Sequence, residues 1–193
     1  MSSSMRRLFV AIPLPDDVRE ALHAAAAPLR DAAEAAVTWT PAERLHLTVK
    51  FLGDTEESLV APLQDALQSA AAGHVDVPLV LRGAGAFPTL RRPRVVWVGV
   101  EPSPRLELLY HDIEESCVRL GIPSEGRPFR PHVTLGRVKA RLEPGVVRAL
   151  GRAAAILDFE SEGTASSLDL MQSTLTRQGP TYRRLFSVPL RAS

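Results

Sequence analysis

Two short segments of this 193-residue chain share one pattern, and that pattern limits how the chain can fold. Residues 46–49 (HLTV) and residues 132–135 (HVTL) both read histidine, aliphatic, threonine, aliphatic, and they start 86 positions apart. Each lies in a run of strand-forming residues, so we predict a β-strand at both places. Because side chains alternate along a strand, the histidine and threonine of each segment share one face, and the aliphatic pair faces a core. If two similar halves pack together, the two polar faces line one cleft.

Strand and helix patterns alternate along the rest of the chain. Strands are predicted over residues 8–12, 45–52, 77–82, 94–100, 132–138, 166–174 and 183–190. Helices are predicted over residues 15–36, after a capping box at residues 54–57, from Ser103 to about residue 120 with Val118 on the buried side, and over residues 144–154. Gly53 is expected to end the second strand. Short loops between neighbouring strands favour antiparallel pairing, which predicts an α+β fold rather than a doubly wound parallel sheet.

Composition excludes several classes of protein. Cys117 is the only cysteine, which excludes a disulfide scaffold and a zinc or iron–sulfur site built from several cysteines. No apolar run approaches the roughly 20 residues of a membrane span, and the run at residues 8–12 is too short for a signal peptide. We therefore expect a soluble, cytoplasmic protein, and a monomer. There is no glycine-rich nucleotide motif, and residues 111–114 (HDIE) lack a second cluster to complete a metal site, so no cofactor or metal is expected.

The net charge of +1 hides an uneven distribution of charged residues. Residues 77–100, residues 126–142 and the chain after Asp169, which includes Arg177, hold 13 of the 23 basic residues and no acid. If these windows meet in space, they form a cationic surface that suits an RNA partner. Arginine accounts for 21 of the basic residues, a bias that suits bidentate phosphate recognition but that a GC-rich genome also produces.

The two matching segments suit phosphodiester chemistry. A neutral imidazole at one of His46 and His132 can take a proton from an attacking water, while the opposite imidazolium protonates the leaving oxygen. The hydroxyl groups of Thr48 and Thr134 can donate hydrogen bonds to the non-bridging phosphate oxygens. Such a site would stabilise the charge of the transition state without a metal.

Two arginines near the second segment are candidates for binding phosphate. Arg137 lies five residues after His132, so strict alternation places it on the opposite face of the strand. A bulge at Gly136 would turn Arg137 inward, and a glycine inside a strand is typical of such bulges. Arg130 directly precedes Pro131 and His132, and is either a second phosphate ligand or a solvated side chain.

At these residues the sequence resembles a known family. The paired His-x-Thr-x motifs, with hydrophobic x, are the signature of the two-histidine (2H) phosphoesterases, and the flanks are similar to the RNA 2′,3′-cyclic phosphodiesterase branch, also called the 2′-5′ RNA ligase family. The similar flanks are residues 7–12 (RLFVAI), 45–53 (LHLTVKFLG), 87–88 (FP), 93–100 (PRVVWVGV), 127–137 (RPFRPHVTLGR), 170–173 (LMQS) and 179–182 (GPTY). The resemblance implies a single bilobal domain over residues 1–193, with two pseudo-symmetric lobes of mainly antiparallel sheet and outer helices around a central cleft.

The resemblance also implies an activity. Members hydrolyse a terminal 2′,3′-cyclic phosphate on RNA, such as that of a tRNA fragment, to a 2′-phosphate without a metal. Related enzymes also join RNA ends through a 2′-5′ linkage in a reversible, ATP-independent reaction. Carried over by position, His46 protonates the O3′ leaving group and His132 activates water. Thr48, Thr134 and Arg137 then bind the phosphate oxygens.

Two alternative functions stay open at this point. One is a 2H esterase that acts on a small cyclic nucleotide of the ADP-ribose cyclic phosphate type. The other is an RNA-end-binding module without catalysis, although two intact His-Thr pairs argue against it because binding alone requires no acid and base. Phe51 and Tyr182 are candidates for stacking a base in the cleft.

Overall fold

The computed structural model of this chain describes residues 4–176 and 179–193, and the strands within them form one nine-stranded sheet. The strands are β1 (Met5–Pro13), β2 (Val37–Trp39), β3 (His46–Glu56), β4 (Val77–Thr89), β5 (Arg92–Val100), β6 (His132–Val138), β7 (Glu160–Ala165), β8 (Ser167–Thr176) and β9 (Gly179–Pro189). The helices are α1 (Asp16–Ala25), α2 (Ala27–Ala33), α3 (Val60–Gly73), α4 (Pro104–Arg119) and α5 (Pro144–Ala155). Short 3₁₀ turns cover Glu34–Ala36, Ala42–Arg44 and Glu57–Leu59.

The sheet consists of two four-stranded halves that meet at β3 and β6. The strand order is β7-β4-β5-β6-β3-β1-β8-β9, with β2 paired to β6, and each pairing of these strands is antiparallel. At the junction the two halves share one residue pair, Leu47 with Val133, and both side chains are fully buried. The predicted α+β class with mainly antiparallel sheet is confirmed.

The two lobes do not correspond to the two halves of the sequence. One lobe contains β1, β3, β8 and β9, with α3 and α4 packed against it. The other contains β4, β5, β6 and β7, with α1 packed against β7 and α5 against β4, while α2 packs against α5 and β2. The chain therefore crosses between the lobes several times, and this interleaving supports our proposal of one bilobal domain rather than two separable ones.

The helix predicted over residues 15–36 is divided into α1, α2 and a 3₁₀ turn. Pro28 lies in the first turn of α2, and Ala26, with φ −77° and ψ 2°, separates the two helices. Proline lacks a backbone N–H and restricts the residue before it, so a continuous helix through this point is disfavoured. In the described ranges, no helix is long and apolar enough to cross a membrane.

The second predicted strand is longer than expected, and the capping box at residues 54–57 was wrong. Gly53 does not end β3; it adopts φ 69° at an irregularity where β3 pairs with Leu8, and the strand continues to Glu56. Glycine accommodates this left-handed conformation without a Cβ penalty, so here it marks a bulge rather than a stop. Helix α3 consequently begins only at Val60, after a 3₁₀ turn.

Other boundaries differ for reasons of packing. Strands β4 and β5 form a longer hairpin than predicted, and within it the ring of Trp97 occupies the space where Gly85 lacks a side chain. The polar edge strand β7 carries little apolar signal and was not predicted. Helix α4 begins at Pro104, as the predicted start at Ser103-Pro104 requires, and Ser103 caps it because its Oγ accepts the N–H of Leu106 at 3.3 Å. Val118 is 48% exposed, and Glu114 and Cys117 are buried on that helix instead, so the burial predicted for Val118 was wrong.

Candidate active site

The junction of the two lobes places the paired motifs side by side. Because Leu47 and Val133 pair across β3 and β6, the residues that flank them point together to the other face of the sheet. A cleft of about 750 Å³ lies on that face. His46, Thr48, His132, Thr134 and Arg137 all line it. The structure thus brings together five of the six residues selected from the sequence.

Arg130 is the sixth, and its side chain is not among those that line the cleft. The side chain is exposed, whereas its backbone carbonyl accepts a hydrogen bond from His132 Nδ1 at 2.7 Å. Arg130 therefore acts on the site through its backbone, and its geometry gives no support to a phosphate contact. Arg177, which was counted in the third basic window, lies outside the described residues.

Both histidines are held by the same backbone contact. His46 Nδ1 donates to the carbonyl of Arg44 and His132 Nδ1 to that of Arg130, each at 2.7 Å and each two residues earlier in the chain. Since a carbonyl oxygen only accepts, Nδ1 carries the hydrogen in both rings. In the neutral ring this leaves Nε2 as the basic nitrogen available to a substrate. His46 Nε2 lies 3.1 Å from the hydroxyl of Thr48, which donates to it in this state.

Aromatic rings pack against both histidines and remove water from them. Phe9 stacks on His46 at 5.2 Å between ring centroids, and Tyr182 meets the same ring edge-on at 5.5 Å. Phe87 meets His132 edge-on at 4.9 Å. Burial disfavours the charged imidazolium, and this desolvation is the largest cause that lowers the pKa of His46 and of His132 below the usual value of 6.5.

Charged neighbours act differently on the two rings. Arg137 lowers the pKa of both histidines through its positive charge, and the backbone carbonyl contacts partly offset the effect of burial. Asp169 raises the pKa of His46. This carboxylate is buried on β8 and accepts a hydrogen bond from Ser187 Oγ at 2.5 Å. Within the described residues no carboxylate makes a comparable contribution at His132, so only His46 has an anion that favours its protonated form.

The bulge predicted at Gly136 is confirmed and explains how Arg137 reaches the cleft. Along β6, Thr134 pairs with Trp97 and Gly136 pairs with Val96, so Leu135 is the extra residue. The extra residue reverses the alternation, and Arg137 therefore returns to the face that carries the histidine and threonine. A guanidinium group is thus placed beside both imidazoles.

The first motif has a bulge at the equivalent position. On β3, Thr48 pairs with Ala11 and Lys50 with Val10, which leaves Val49 as the extra residue. The residue then delivered to the cleft is Phe51, three positions after the threonine, as Arg137 is in the second motif. Phe51 is 52% exposed. The cleft is therefore nearly symmetric in its histidines and threonines, but has a cation on one side and an aromatic ring on the other.

Gly136→Ala should destabilise the protein, because a Cβ at Gly136 would lie 2.6 Å from Val37 Cγ1 and 2.8 Å from Trp39 Cε3. Relief of this overlap requires β2 to move away from β6. We expect a loss of about 1–3 kcal/mol in the free energy of unfolding, measured by urea denaturation. Gly151→Ala on α5 is the matched control, since its Cβ would meet no atom within 4 Å, and it should be neutral or stabilising. Equal stability of the Gly136 variant and the wild type would contradict this close packing of β2 against Gly136.

The sequence model of the 2′-5′ RNA ligase superfamily matches residues 8–176. The chain belongs to the 2′-5′ RNA ligase superfamily. One relative is the RNA 2′,3′-cyclic phosphodiesterase of Aeropyrum pernix. It is 38% identical to this chain over 153 residues, which cover 78% of this chain and 85% of the relative. The resemblance recognised from the motifs is thus confirmed.

Solved structures agree with this membership of the 2′-5′ RNA ligase superfamily. The crystal structure of TT0787 of Thermus thermophilus superposes with a TM-score of 0.81 at 29% identity, covering 96% of this chain and 98% of the other. Escherichia coli LigT complexed with 3′-AMP superposes with a TM-score of 0.71 at 28% identity, covering 97% and 99% of the two chains. The α+β fold with its central cleft is therefore that of 2H phosphoesterases.

Sequence reasoning missed several residues of this superfamily member's site. Phe9 lies in a predicted strand and Phe87 in the loop predicted between two strands. Nothing in the sequence pattern showed which aromatic ring would contact a histidine. Asp169 gave no signal because its effect on His46 depends on the pairing of β1 with β8. The acidic side chains of residues 111–114 contact different partners. Asp112 Oδ2 lies 2.7 Å from His74 Nε2, and Glu114 Oε1 lies 2.6 Å from Lys50 Nζ.

Proposed function

We propose that this chain hydrolyses the terminal 2′,3′-cyclic phosphate of RNA to a 2′-phosphate, with His46 and His132 as acid and base and without a metal. The observation that carries the proposal is the pair of imidazoles in one cleft, each oriented through an Nδ1–H bond to the carbonyl two residues earlier. Relatives named RNA 2′,3′-cyclic phosphodiesterase and the 3′-AMP complex of LigT support a nucleotide substrate. A cytoplasmic setting and a monomeric state are part of the proposal.

The reaction needs one proton removed and one supplied. His132 Nε2 accepts a proton from water as the water oxygen attacks phosphorus. The bond between phosphorus and O3′ then breaks, and His46 donates its Nε2 proton to O3′. The products are a 2′-phosphate and a 3′-hydroxyl group. Replacing water by the 5′-hydroxyl of a second RNA gives a 2′-5′ linkage by the same proton transfers, and reversal of that step regenerates the cyclic phosphate.

Asp169 supports the assignment of His46 as the acid. An acid must keep its proton until the leaving group departs, and the carboxylate of Asp169 favours protonated His46 against the effect of burial. His132 lacks such a carboxylate within the described residues, whereas Arg137 disfavours protonation of both rings, so Asp169 is what distinguishes them. The two rings therefore differ in charge environment although their backbone contacts match.

The remaining side chains of the cleft suit a phosphate with a base attached. Thr48, Thr134 and Arg137 present donors to the non-bridging oxygens, where negative charge increases in the transition state. Phe51 and Tyr182 line the same cleft and offer aromatic faces or edges to a nucleobase. The half-buried Tyr182 already contacts Phe9 and His46, so the more exposed Phe51 is the better stacking candidate.

The test is product analysis with an oligoribonucleotide that ends in a 2′,3′-cyclic phosphate, incubated with the full chain in excess EDTA. We expect complete conversion to a 2′-phosphate end, resolved from the 3′ isomer by chromatography. Binding without conversion would support the RNA-end-binding module instead. Turnover of ADP-ribose cyclic phosphate but not of the oligonucleotide would support the small-nucleotide esterase. Loss of activity in EDTA that added metal restores would contradict a metal-free mechanism.

Arg137→Gln should move the pH dependence of kcat/KM to higher pH. The Arg137 guanidinium lowers the pKa of both histidines, so its removal lets each ring keep its proton to a higher pH. Both limbs of the profile should shift in the alkaline direction, and the maximum of kcat/KM should fall about 10²-fold because a transition-state donor is lost. Arg137→Lys keeps the positive charge and should leave the limbs in place. A profile unmoved in Arg137→Gln would contradict this electrostatic role.

A further inference from the structure

A second cavity, of about 1200 Å³, lies beside the catalytic cleft. It is formed by the turn between β4 and β5 on one side, and by the segment after β6 and the start of α5 on the other. Its basic residues are Arg91, Arg92, Arg94, Lys139, Arg141 and Arg148, and we refer to it as the arginine pocket. Of the described residues that line it, Glu143 is the single acidic one.

Among the residues that the structure describes, the guanidinium groups of this pocket have no anionic partner. Within residues 4–176 and 179–193, none of its five arginines forms an ion pair or a side-chain hydrogen bond, whereas Arg6, Arg19 and Arg82 elsewhere on the surface each contact a carboxylate. Like charges gathered in one concave site repel one another and concentrate counter-ions. A cluster of this kind is stabilised when a polyanion replaces the diffuse counter-ions.

The arginine pocket is continuous with the proposed catalytic cleft. Val138 and Lys139 line both cavities. Strand β6 therefore leads from His132 through Arg137 to the edge of the pocket, and Arg94 adjoins Val95, which pairs with Arg137 and lines the cleft. An RNA strand whose terminal phosphate contacts His132 and Arg137 can therefore reach the arginine pocket without crossing from one lobe to the other.

The lining of the pocket indicates what part of a nucleic acid it contacts. In the described part of the chain no aromatic side chain lines the pocket, and its apolar residues are aliphatic, such as Pro93, Leu142 and Val147. Bases are gripped chiefly by stacking on aromatic rings, whereas arginine binds phosphate through two parallel hydrogen bonds. The pocket thus suits a sugar–phosphate backbone and carries no evident means of distinguishing bases.

We propose that the arginine pocket binds the backbone phosphates of the nucleotides that precede the cyclic end of a single-stranded RNA. The proposal rests on the proposed function, because it takes the catalytic cleft as the place of the terminal phosphate. It makes the preferred substrate an oligonucleotide rather than a mononucleotide. It also assigns a role to two of the three acid-free windows, since residues 91–94 and 139–141 belong to them.

The test compares an Arg92→Gln/Arg94→Gln variant with a matched control, Arg105→Gln/Arg119→Gln, which removes the same charge from α4 away from both cavities. Each protein is assayed with a single strand of about ten nucleotides that ends in a 2′,3′-cyclic phosphate, and with a 2′,3′-cyclic mononucleotide. For the pocket variant we expect the KM of the long substrate to rise roughly tenfold at low salt. The slope of log KM against the logarithm of the salt concentration should decrease by about 1.4, as expected for two lost phosphate contacts on a single strand. Neither the KM of the mononucleotide nor any constant of the control should change.

Two outcomes would overturn the proposal: an equal KM for the long substrate in pocket variant and control, or an equal rise in KM for the mononucleotide. A wild type that converts neither substrate would refute the proposed function but not decide on the pocket. In that case fluorescence anisotropy with the same oligonucleotide ending in a 2′-phosphate decides. Binding weakened only in the Arg92→Gln/Arg94→Gln variant supports the arginine pocket, and equal binding of all three proteins refutes it.

Discussion

Replacing His46 or His132 with alanine should reduce kcat on a 2′,3′-cyclic-phosphate oligonucleotide by about 10²–10⁴-fold, the usual contribution of one positioned acid or base. Both variants should remain folded, because each ring is half-buried at a cleft rather than enclosed in the core. His111→Ala is the matched control, since that ring is exposed on α4 and contacts only Glu115 among the described residues. Product analysis at fixed reaction times measures the activity of each variant, and circular dichroism shows whether the variant is folded.

The two alanine variants should differ when the leaving group needs no proton. An aryl phosphodiester such as bis(4-nitrophenyl) phosphate releases a phenolate that departs without protonation. If His46 is the acid, His46→Ala should lose much less activity on this substrate than on RNA, whereas His132→Ala should lose activity on both. The reverse pattern would exchange the two roles. Wild-type rates in both variants on both substrates would refute paired-histidine catalysis altogether.

The largest loss of stability should follow from Lys50→Met. Lys50 is fully buried next to the bulge of β3, where Nζ donates to Glu114 Oε1 at 2.6 Å and to the carbonyl of Pro123 at 2.9 Å. Removing the ammonium group leaves the buried carboxylate of Glu114 without its counter-charge. We expect a loss of about 3–5 kcal/mol in the free energy of unfolding and a Tm lower by about 10 °C, measured by denaturation and by calorimetry.

The double variant Lys50→Met/Glu114→Gln is the control for this interpretation. It removes both charges, while the amide oxygen at position 114 can still accept the N–H of Glu125, which contacts Glu114 Oε2 at 3.2 Å. Because an apolar or neutral replacement of a whole buried pair is often tolerated, the double variant should recover more than half of the lost stability. A double variant less stable than Lys50→Met would show that packing, rather than the unpaired charge, accounts for the loss.

The features that the sequence revealed are those with a local physical cause. Alternation within each motif placed His46 with Thr48 and His132 with Thr134, and Gly136 indicated a bulge because glycine inside a strand is typical of bulges. The Ser103 cap of α4 was visible for the same reason, since its hydrogen bond joins residues three apart. Such features can be predicted from the sequence because they depend only on residues that are neighbours along the chain.

The features that were missed depend on contacts between distant residues. The bulge at Val49 contains no glycine and follows from the register of β3 against β1, so the placement of Phe51 opposite Arg137 had no local signal. The buried pair of Lys50 and Glu114 joins residues 64 positions apart, so the burial of Glu114 on α4 had no local signal, and neither did the exposure of Val118. The sequence also did not show which strands share a lobe. Strands β8 and β9, at the end of the chain, pair into the lobe that contains β1.

The matched bulges have a consequence for the direction in which a substrate lies. A cleft with true two-fold symmetry would accept a cyclic phosphate in two opposite poses and would exchange the duties of its histidines between them. Here the bulges supply a flat ring, Phe51, at one end and a cation, Arg137, at the other. The proposed nucleotide substrate carries an apolar base and an anionic phosphate, so we expect this asymmetry to favour one of the two poses. Under the proposed function, the strand would enter with one 5′-to-3′ polarity, and the place of each imidazole along it would add to their different charge environments in separating the acid from the base.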